Sequence, residues 1–237
     1  MSLLSIATEV CDEIGIIAPP KLVGNADPDA RRILACARRG AEALYRAHNW
    51  SILAREHEFE TEADERNYPV PDDFGRFVTR TAWDRTSYWR MRGSLTPQQW
   101  QHQRSAIIAP AGLLRHFRQL IGPLAGSILI DPVPATTGDE LVYEYVSSFW
   151  AENVDQEGQG VWLADTDEFR LDHELFTLEL RWRIKAANGQ PYSDERADAE
   201  GAIYKAKVAD IGMEAFSLTS VPDPLLPNIP EANWPTE

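Results

Sequence analysis

Cysteine is scarce in this sequence, since Cys11 and Cys36 are the only two among 237 residues. Two cysteines cannot build the multi-disulfide framework of a small secreted domain. Both lie in helical patterns, where a free thiol behaves as a small apolar side chain. No apolar run approaches the roughly 20 residues of a membrane span, and the N-terminal segment lacks the basic region of a signal peptide. We therefore expect a protein that is made in the cytoplasm and is not anchored in a membrane.

The sequence also lacks the short motifs that bind nucleotides or carry out hydrolysis. It contains no GxxxxGK[ST] or GxGxxG phosphate loop, no GxSxG nucleophile turn and no Cys/His cluster with zinc-ligand spacing. His173 and Glu174 begin a metalloprotease-like HExxH motif, but Thr177 stands where the second histidine is needed. We therefore predict no cofactor, no metal ion and no catalytic residues.

Positive charge is in short supply, and the shortage is uneven along the chain. The net charge is −14; residues 1–150 hold 16 Lys and Arg against 19 Asp and Glu, whereas residues 151–237 hold 7 against 18. Because affinity for a phosphate backbone grows with the number of cations that neutralise it, this charge argues against a protein that grips DNA. A surface past which double-stranded DNA moves without specific binding is consistent with it.

Apolar residues near both ends of the chain recur at three- and four-residue steps, as on one face of a helix. This period predicts helices over residues 2–15, 28–47, 172–187 and 193–213. Asp27 is placed as the N-cap of the second helix, with Pro28 at its first position. The 172–187 helix carries two apolar stripes, so we expect it to lie between two layers or to be shared with another subunit.

Between these helical parts the pattern changes to short runs of alternating polarity, rich in aromatic residues and separated by Pro and Gly turns. The runs predict strands over residues 77–83, 88–92, 114–120, 127–130 and 141–148. We therefore predict an α+β fold in which helices from both ends form one bundle, with an inserted antiparallel β-sandwich or barrel-like domain. The predicted parts are residues 1–50 and 151–217 for the bundle, 51–150 for the β domain and 218–237 for an extended, Pro-rich C-terminal arm.

Two features leave other functions open. Asp165, Asp167, Glu168, Asp172 and Glu174 form an acidic cluster, and paired carboxylates can hold Mg²⁺ or Ca²⁺ in a metal-dependent hydrolase. Carboxylates before a helix more often cap backbone amides, and we expect that role here. The aromatic residues of the β domain could form a carbohydrate-binding or tail-fibre-like module, although Trp at strand spacing is more often part of a core.

A series of short segments occurs along most of the chain. In order they are ADPDARRIL (26–34), HNW (48–50), YPVPDDF (68–74), TAWDRT (81–86), GSLTPQQW (93–100), YEYVS (143–147), WLADTD (162–167) and WRIK (182–185). This series resembles the phage head-to-tail adaptor (connector) proteins of the tail tubular protein A type, found in short-tailed phages.

The resemblance implies a structural virion protein and not an enzyme. Proteins of this type form a ring, commonly of twelve subunits, beneath the portal protein; the ring joins the DNA-filled capsid to the tail and lines the channel for DNA ejection. The implied partners are further copies of the chain, the portal protein, the next tail component (a nozzle or tail tube) and passing double-stranded DNA, with no membrane. The implied location is the neck of the virion, after synthesis in the host cytoplasm.

Two surfaces are predicted to make these contacts. The subunit interface is predicted from the basic face of the second helix and one stripe of the 172–187 helix: Arg31, Arg38, Arg39, Phe176, Leu180 and Ile184. Docking on the portal or a neighbour is predicted from the apolar residues of the arm: Leu225, Leu226, Ile229 and Trp234. A closed ring needs a heterologous interface, in which two different patches meet, and a helix that is apolar on two sides suits it.

Overall fold

Helices near both ends of the chain flank a block of extended segments, as the sequence pattern predicts, in a computed structural model that describes residues 1–105, 114–122 and 126–211. The described chain folds into two units. One contains Met1–Ala54 and Ser147–Ala215, the latter described as far as residue 211, and the other contains Arg55–Val146. The predicted α+β fold, with helices from both ends and an inserted antiparallel β domain, is confirmed. The arm, residues 218–237, lies outside the described residues.

The elements have the following bounds in the described residues. The helices are α1 (Leu3–Glu13), α2 (Pro28–Ala47), α3 (Pro97–Ser105), α4 (His173–Ala187) and α5 (Ser193–Ile211). The longer strands are β1 (Ala54–Glu60), β2 (Asn67–Pro69), β3 (Phe74–Phe77), β6 (His116–Ile121), β7 (Gly126–Asp131) and β8 (Glu140–Ser147). The two-residue strands are β4 (Trp83–Asp84), β5 (Trp89–Arg90), β9 (Ala151–Glu152), β10 (Gly158–Gln159) and β11 (Glu168–Phe169).

Carboxylate caps determine where the two central helices begin. Asp27 accepts the N–H groups of Asp29 at 2.7 Å and Ala30 at 3.2 Å, directly before α2. Asp172 accepts the N–H of Glu174 at 2.8 Å before α4. The first amides of a helix have no partner within it, so a side-chain acceptor at this place stabilises the start. The predicted N-cap at Asp27 is confirmed.

Helix α4 is central to the helical unit, because it packs against α1, α2 and α5. Next to it lies an aromatic cluster in which the ring of Phe176 is 5.3 Å from Trp162 and 4.9 Å from Phe169. Trp150 meets Trp162 edge-on at 4.7 Å. Edge-to-face pairs at these distances are favourable beyond the area that they bury. The cluster ties the segment after β8 to α4.

Helices α2 and α4 approach closely at Gly40. A Cβ added there would lie 3.4 Å from Cγ of Glu179. The buried carboxylate of Glu179 accepts hydrogen bonds from Trp182 Nε1 and Arg183 Nε, each at 2.9 Å. A buried charge is tolerated when it is paired in this way. The small residue on α2 therefore makes room for an ion pair on α4.

Two sheets share the core of the β unit. In one, β8 pairs with β1, β3 and β4, and β4 pairs with β5; in the other, β7 pairs with β2 and β6. Inward side chains of both sheets form one buried cluster, which includes Tyr68, Phe117, Ile130, Leu141 and Tyr143. Most of the aromatics of this unit are thus needed to fill the space between the sheets.

The strand predicted over residues 77–83 is interrupted, and that prediction is wrong. Between β3 and β4 the chain turns away, and Arg80 adopts φ +69°. Val78 N–H donates to the carbonyl of Glu144 at 3.0 Å, and the Glu144 N–H donates to Thr81 Oγ1 at 3.1 Å. The threonine hydroxyl therefore replaces a backbone carbonyl opposite β8, and side-chain acceptors of this kind compete with a regular ladder.

We expect the β unit to lose stability as the pH falls below about 6.5. Burial lowers the pKa of His57, whose ring lies 5.2 Å from that of Tyr143, and of His116, where Arg92 lowers the pKa further. Below this pH the two histidines bind protons more readily in the unfolded chain than in the folded chain. The free energy of unfolding therefore decreases toward acid pH. Urea unfolding should show a lower midpoint at pH 5.5 than at pH 7.5.

The His57→Gln, His116→Gln double variant is the control for this pH dependence. Its urea midpoint should change less between the two pH values than that of the original chain, because neither side chain can take up a proton. An equal change in both proteins would contradict the assignment to these two histidines.

Candidate interaction surfaces

The acidic cluster binds backbone amides. Asp165 accepts the N–H groups of Leu22 at 3.1 Å and Val23 at 2.7 Å, so it fastens the segment between α1 and α2 to the segment before α4. Within residues 1–105, 114–122 and 126–211, no three His, Cys, Asp or Glu side chains come together in a way that could hold a metal ion. The carboxylate of Asp165 is thus already engaged in holding the fold.

Asp167 is buried and has the same kind of role. Its Oδ2 accepts the N–H groups of Leu163 at 2.7 Å and Ala164 at 2.8 Å. Glu168 pairs with the N-terminal ammonium group of Met1 at 3.1 Å. The expectation that the cluster caps amides is confirmed at Asp172 for the start of α4, whereas Asp165 and Asp167 bind amides of loops. These contacts give no support to a hydrolase centred on Asp165 and Asp167.

The aromatic residues of the β unit also have a structural explanation. Tyr68, Phe117, Tyr143 and Tyr145 are buried, and the rings of Phe74 and Tyr145 stack at 5.5 Å. Among the described residues of this unit, Tyr88 is the one aromatic side chain that is largely exposed, at 66%. Glycan sites usually present several aromatic faces to solvent, so the carbohydrate-binding alternative loses the feature on which it depended.

The basic face of α2 is a solvent-exposed surface. Arg31, Arg38 and Arg39 are all exposed. Arg38 donates to the carbonyl of Trp162 at 3.5 Å, while Arg32 pairs with Asp29. Within the described part of the chain, the side chains of Arg31 and Arg39 have no hydrogen bond or ion pair. Two guanidinium groups on one helix are therefore available to an external partner.

These arginines surround a groove of about 530 Å³. Its lining residues are Leu22, Gly24, Asn25, Arg31, Leu34, Ala35, Arg38 and Arg39. Leu22 and Leu34 are buried and form its apolar floor, so the groove combines an apolar base with a cationic rim. This combination suits an aromatic side chain, because a guanidinium group stacks on a ring face.

The remaining predicted interface residues lie in the interior. Phe176, Leu180 and Ile184 are at most 2% exposed within the single chain. In this fold they are core residues of the helical unit, so they have no surface for a neighbour to contact, and the interface role predicted for them is corrected accordingly. The second apolar stripe of α4 is needed inside the protomer, because α4 is covered by three other helices. For the three arginines, an interface role stays a prediction.

A surface on α5 was not anticipated from the sequence. Ala197, Gly201, Tyr204 and Val208 follow one another at steps of four, three and four residues, which places them on one face of the helix. All four are exposed; Tyr204 is 70% and Val208 47% accessible. The spacing itself was the available signal, but small residues at such steps equally describe a buried helix face.

A family model, described as the SU10 adaptor protein, matches residues 1–223. The chain belongs to the SU10 adaptor protein family. No curated protein matches it. The predicted class of phage adaptor, a structural protein of the virion, is therefore confirmed, while the tail tubular protein A type stays a prediction.

The family match extends over both units of this adaptor but not over all of its C-terminal arm. Leu225, Leu226, Ile229 and Trp234, the predicted docking residues, lie beyond residue 223 and outside the described residues. Among the helices that the structure describes, none has the length and apolar character needed to cross a bilayer.

Proposed function

We propose that this adaptor joins the DNA-filled capsid to the tail as a ring beneath the portal protein, in the manner of the tail tubular protein A type. The observation that carries the proposal is the family match over residues 1–223. The ring would be built from identical copies, with twelve as the expected number, and would also contact the next tail component. We place it in the neck of the virion, after synthesis in the host cytoplasm.

The charge of the chain supports a wall that DNA passes without adhering. Residues 151–237 hold 7 Lys and Arg against 18 Asp and Glu, and they include α4 and α5 of the helical unit. Acidic surfaces repel a phosphate backbone, while the release of counterions on which tight DNA binding depends requires clustered cations. We therefore assign part of the DNA exit channel to this acidic portion of the adaptor.

The arginines of α2 support contact between copies. A homo-oligomeric ring requires two different patches on each protomer, and Arg31 and Arg39 form an exposed cationic patch with no partner in the described chain. We assign docking on the portal or a neighbour to the arm, through Leu225, Leu226, Ile229 and Trp234. Apolar residues in a Pro-rich extended segment are typical of a strand or arm that binds a groove.

The proposal is tested by native mass spectrometry of the full chain, alone and mixed with the portal protein of the same phage. We expect a closed oligomer of the adaptor on the portal, at a stoichiometry that matches the portal or a simple ratio to it. Adaptor that stays monomeric and unbound at micromolar concentrations of both proteins would overturn the proposal.

The arm is tested separately in the same mixture. A chain that ends at residue 217 should lose portal binding in a pull-down and keep the thermal stability of its folded units. A full-length control with Leu225, Leu226, Ile229 and Trp234 replaced by serine separates the apolar contacts from the length of the arm. Unchanged binding of both variants would leave the ring in place and remove the arm from it.

A further inference from the structure

Helix α4 packs against both of the helices that carry exposed surfaces in the helical unit. On one side it meets α2, where Glu179 and Arg183 pack over Gly40. On another side it meets α5, where Lys185 pairs with Glu195. The ring of Trp182 stacks on that of Tyr192, directly before α5, with the ring centroids 6.0 Å apart. The groove and the exposed face therefore belong to two different helices, α2 and α5, which both pack on α4. This arrangement lets one copy offer one surface while the next copy offers the other.

The outer stripe of α5, defined as Ala197, Gly201, Tyr204 and Val208, points away from α4. Ala199 is buried, and it lies about half a turn around the helix from Gly201, since successive residues are about 100° apart. The described part of the same chain therefore leaves the stripe exposed to solvent. Exposed apolar residues in a row, unlike scattered ones, mark a contact surface.

Packing within the protomer does not explain why residue 201 is a glycine. A Cβ added at this position would meet nothing within 4 Å, whereas one added at Gly40 would touch Glu179. Glycine in a helix interior costs stability relative to alanine, because the unfolded chain loses more conformational freedom. Close approach of the backbone of another chain to α5 would explain the glycine, because a larger side chain at position 201 would occupy that space.

The charges beside the two surfaces are complementary. Asp194 and Asp198 flank the first half of the outer stripe and are exposed, with Lys205 on the same edge further along. The groove of α2 is bordered by Arg31 and Arg39, which have no hydrogen bond or ion pair within the described residues. Opposite charges at an interface fix the register of two partners. A second copy of the same chain carries the matching charge.

We propose that the outer stripe of α5 packs into the arginine-rimmed groove of α2 on a second copy of the chain. Tyr204 enters the groove over Leu22 and Leu34, and Asp194 and Asp198 face the guanidinium groups of Arg31 and Arg39. The two surfaces differ, so the contact is heterologous and repeats from copy to copy until it closes. The inference rests on the proposed ring and names the surfaces that build it.

Disulfide trapping tests the contact directly. Ala35→Cys lies in the groove and Val208→Cys on the stripe, one turn from Tyr204, both in a Cys36→Ala background. Mild oxidation should produce a ladder of linked copies up to the ring size on a non-reducing gel, with and without the portal protein. A disulfide needs Cα atoms within about 7 Å, so the ladder reports this register.

The two variants with one introduced cysteine each, which keep the buried Cys11, are the matched controls, and each should run as unlinked chains on the same gel. Linked dimers from Val208→Cys alone would indicate that α5 pairs with α5 and would overturn the inference. If the original chain assembles and the double variant gives no ladder, the contact is wrong and the ring stands. If neither assembles under any of these conditions, both the contact and the ring fall.

Charge reversal gives a second readout that a mere folding defect cannot imitate. Arg31→Glu with Arg39→Glu should abolish assembly, and so should Asp194→Arg with Asp198→Arg, while the combined quadruple variant should regain it. Thermal unfolding of the arginine variant should remain close to that of the original chain. Failure of the quadruple variant to assemble, with both pairs folded, would contradict the charge pairing.

Gly201→Ala separates the stability of one copy from the association of two. Its melting temperature should rise by about 2–4 °C, because alanine favours the helix and meets no neighbouring atom. Its assembly should weaken on the order of tenfold, since the added methyl group holds the two surfaces apart. An increase in melting temperature with unchanged assembly would show that no backbone approaches this face.

Discussion

Replacing Trp162 by alanine is expected to lower the free energy of unfolding of the helical unit by about 3–5 kcal/mol. The indole is fully buried, and three aromatic rings, those of Trp150, Phe169 and Phe176, have centroids within 6.2 Å of its own. Removing it deletes these contacts and leaves a cavity that rigid neighbours on α4 cannot fill. Urea unfolding followed by far-ultraviolet circular dichroism, which reports mainly on the helices, measures the effect.

Two variants serve as controls for Trp162. Trp162→Phe should cost less, because it keeps an aromatic ring and removes a buried indole N–H that has no hydrogen-bond partner in the described chain. Tyr204→Ala removes an exposed ring of similar size and should change the free energy of unfolding by less than about 0.5 kcal/mol. A cost below about 1 kcal/mol for Trp162→Ala would mean that the cluster is not the core of this unit.

Gly93→Ala is expected to destabilise the β unit by about 3 kcal/mol or more, although it adds one methyl group. The new Cβ would lie 2.5 Å from the carbonyl oxygen of Phe117 and 2.7 Å from its ring. Neither atom can move freely, because Phe117 N–H donates to the carbonyl of Arg92 and Leu95 N–H donates to the carbonyl of Phe117, both at 2.9 Å. The methyl group must break this ladder or displace a core ring.

The measurement for Gly93→Ala is the urea midpoint of the β unit, followed by near-ultraviolet circular dichroism of its packed aromatic rings. Gly160→Ala, in the helical unit, is the comparison for an added methyl group without a clash, since a Cβ there has its nearest neighbour, the carbonyl oxygen of Ser148, at 3.7 Å, an ordinary contact. The control should unfold at nearly the same urea concentration as the original chain. Equal effects of both changes would contradict a steric cause at position 93.

These stability variants also help to interpret assembly experiments. The carbonyl of Trp162 accepts a hydrogen bond from Arg38, so the aromatic cluster supports the rim of the α2 groove. A variant at Trp162 should therefore lose assembly together with folding. Changes at Arg31, Arg39 or Gly201 should affect assembly while the units remain folded. The two classes of variant distinguish a damaged protomer from a damaged contact.

Local chemistry explains the parts of the fold that the sequence predicts well. Asp27 and Pro28 mark the start of α2, and the apolar period of the chain marks its extent to Ala47. The cap, the first helical residue and the period are properties of neighbouring positions, so they do not depend on the rest of the molecule. Four of the five predicted strands follow for the same reason, and the hydroxyl of Thr81 interrupts the fifth.

The role of an apolar or charged side chain depends on which parts of the folded chain surround it. Phe176 and Tyr204 both lie on helical apolar stripes, yet the first is buried beside Trp162 and the second is 70% exposed. Asp165 reads as a metal ligand or a cap until its carboxylate is found on the amides of Leu22 and Val23, far away in sequence.

Most of the elements, the cap of α2 and the phage adaptor class were thus predictable from the sequence, because they depend on local patterns and on the order of segments. The tertiary structure decided which helix faces are core and which remain open to a partner. Burial depends on what the rest of the chain places beside each face, and α4 occupies the centre while α2 and α5 lie outside it.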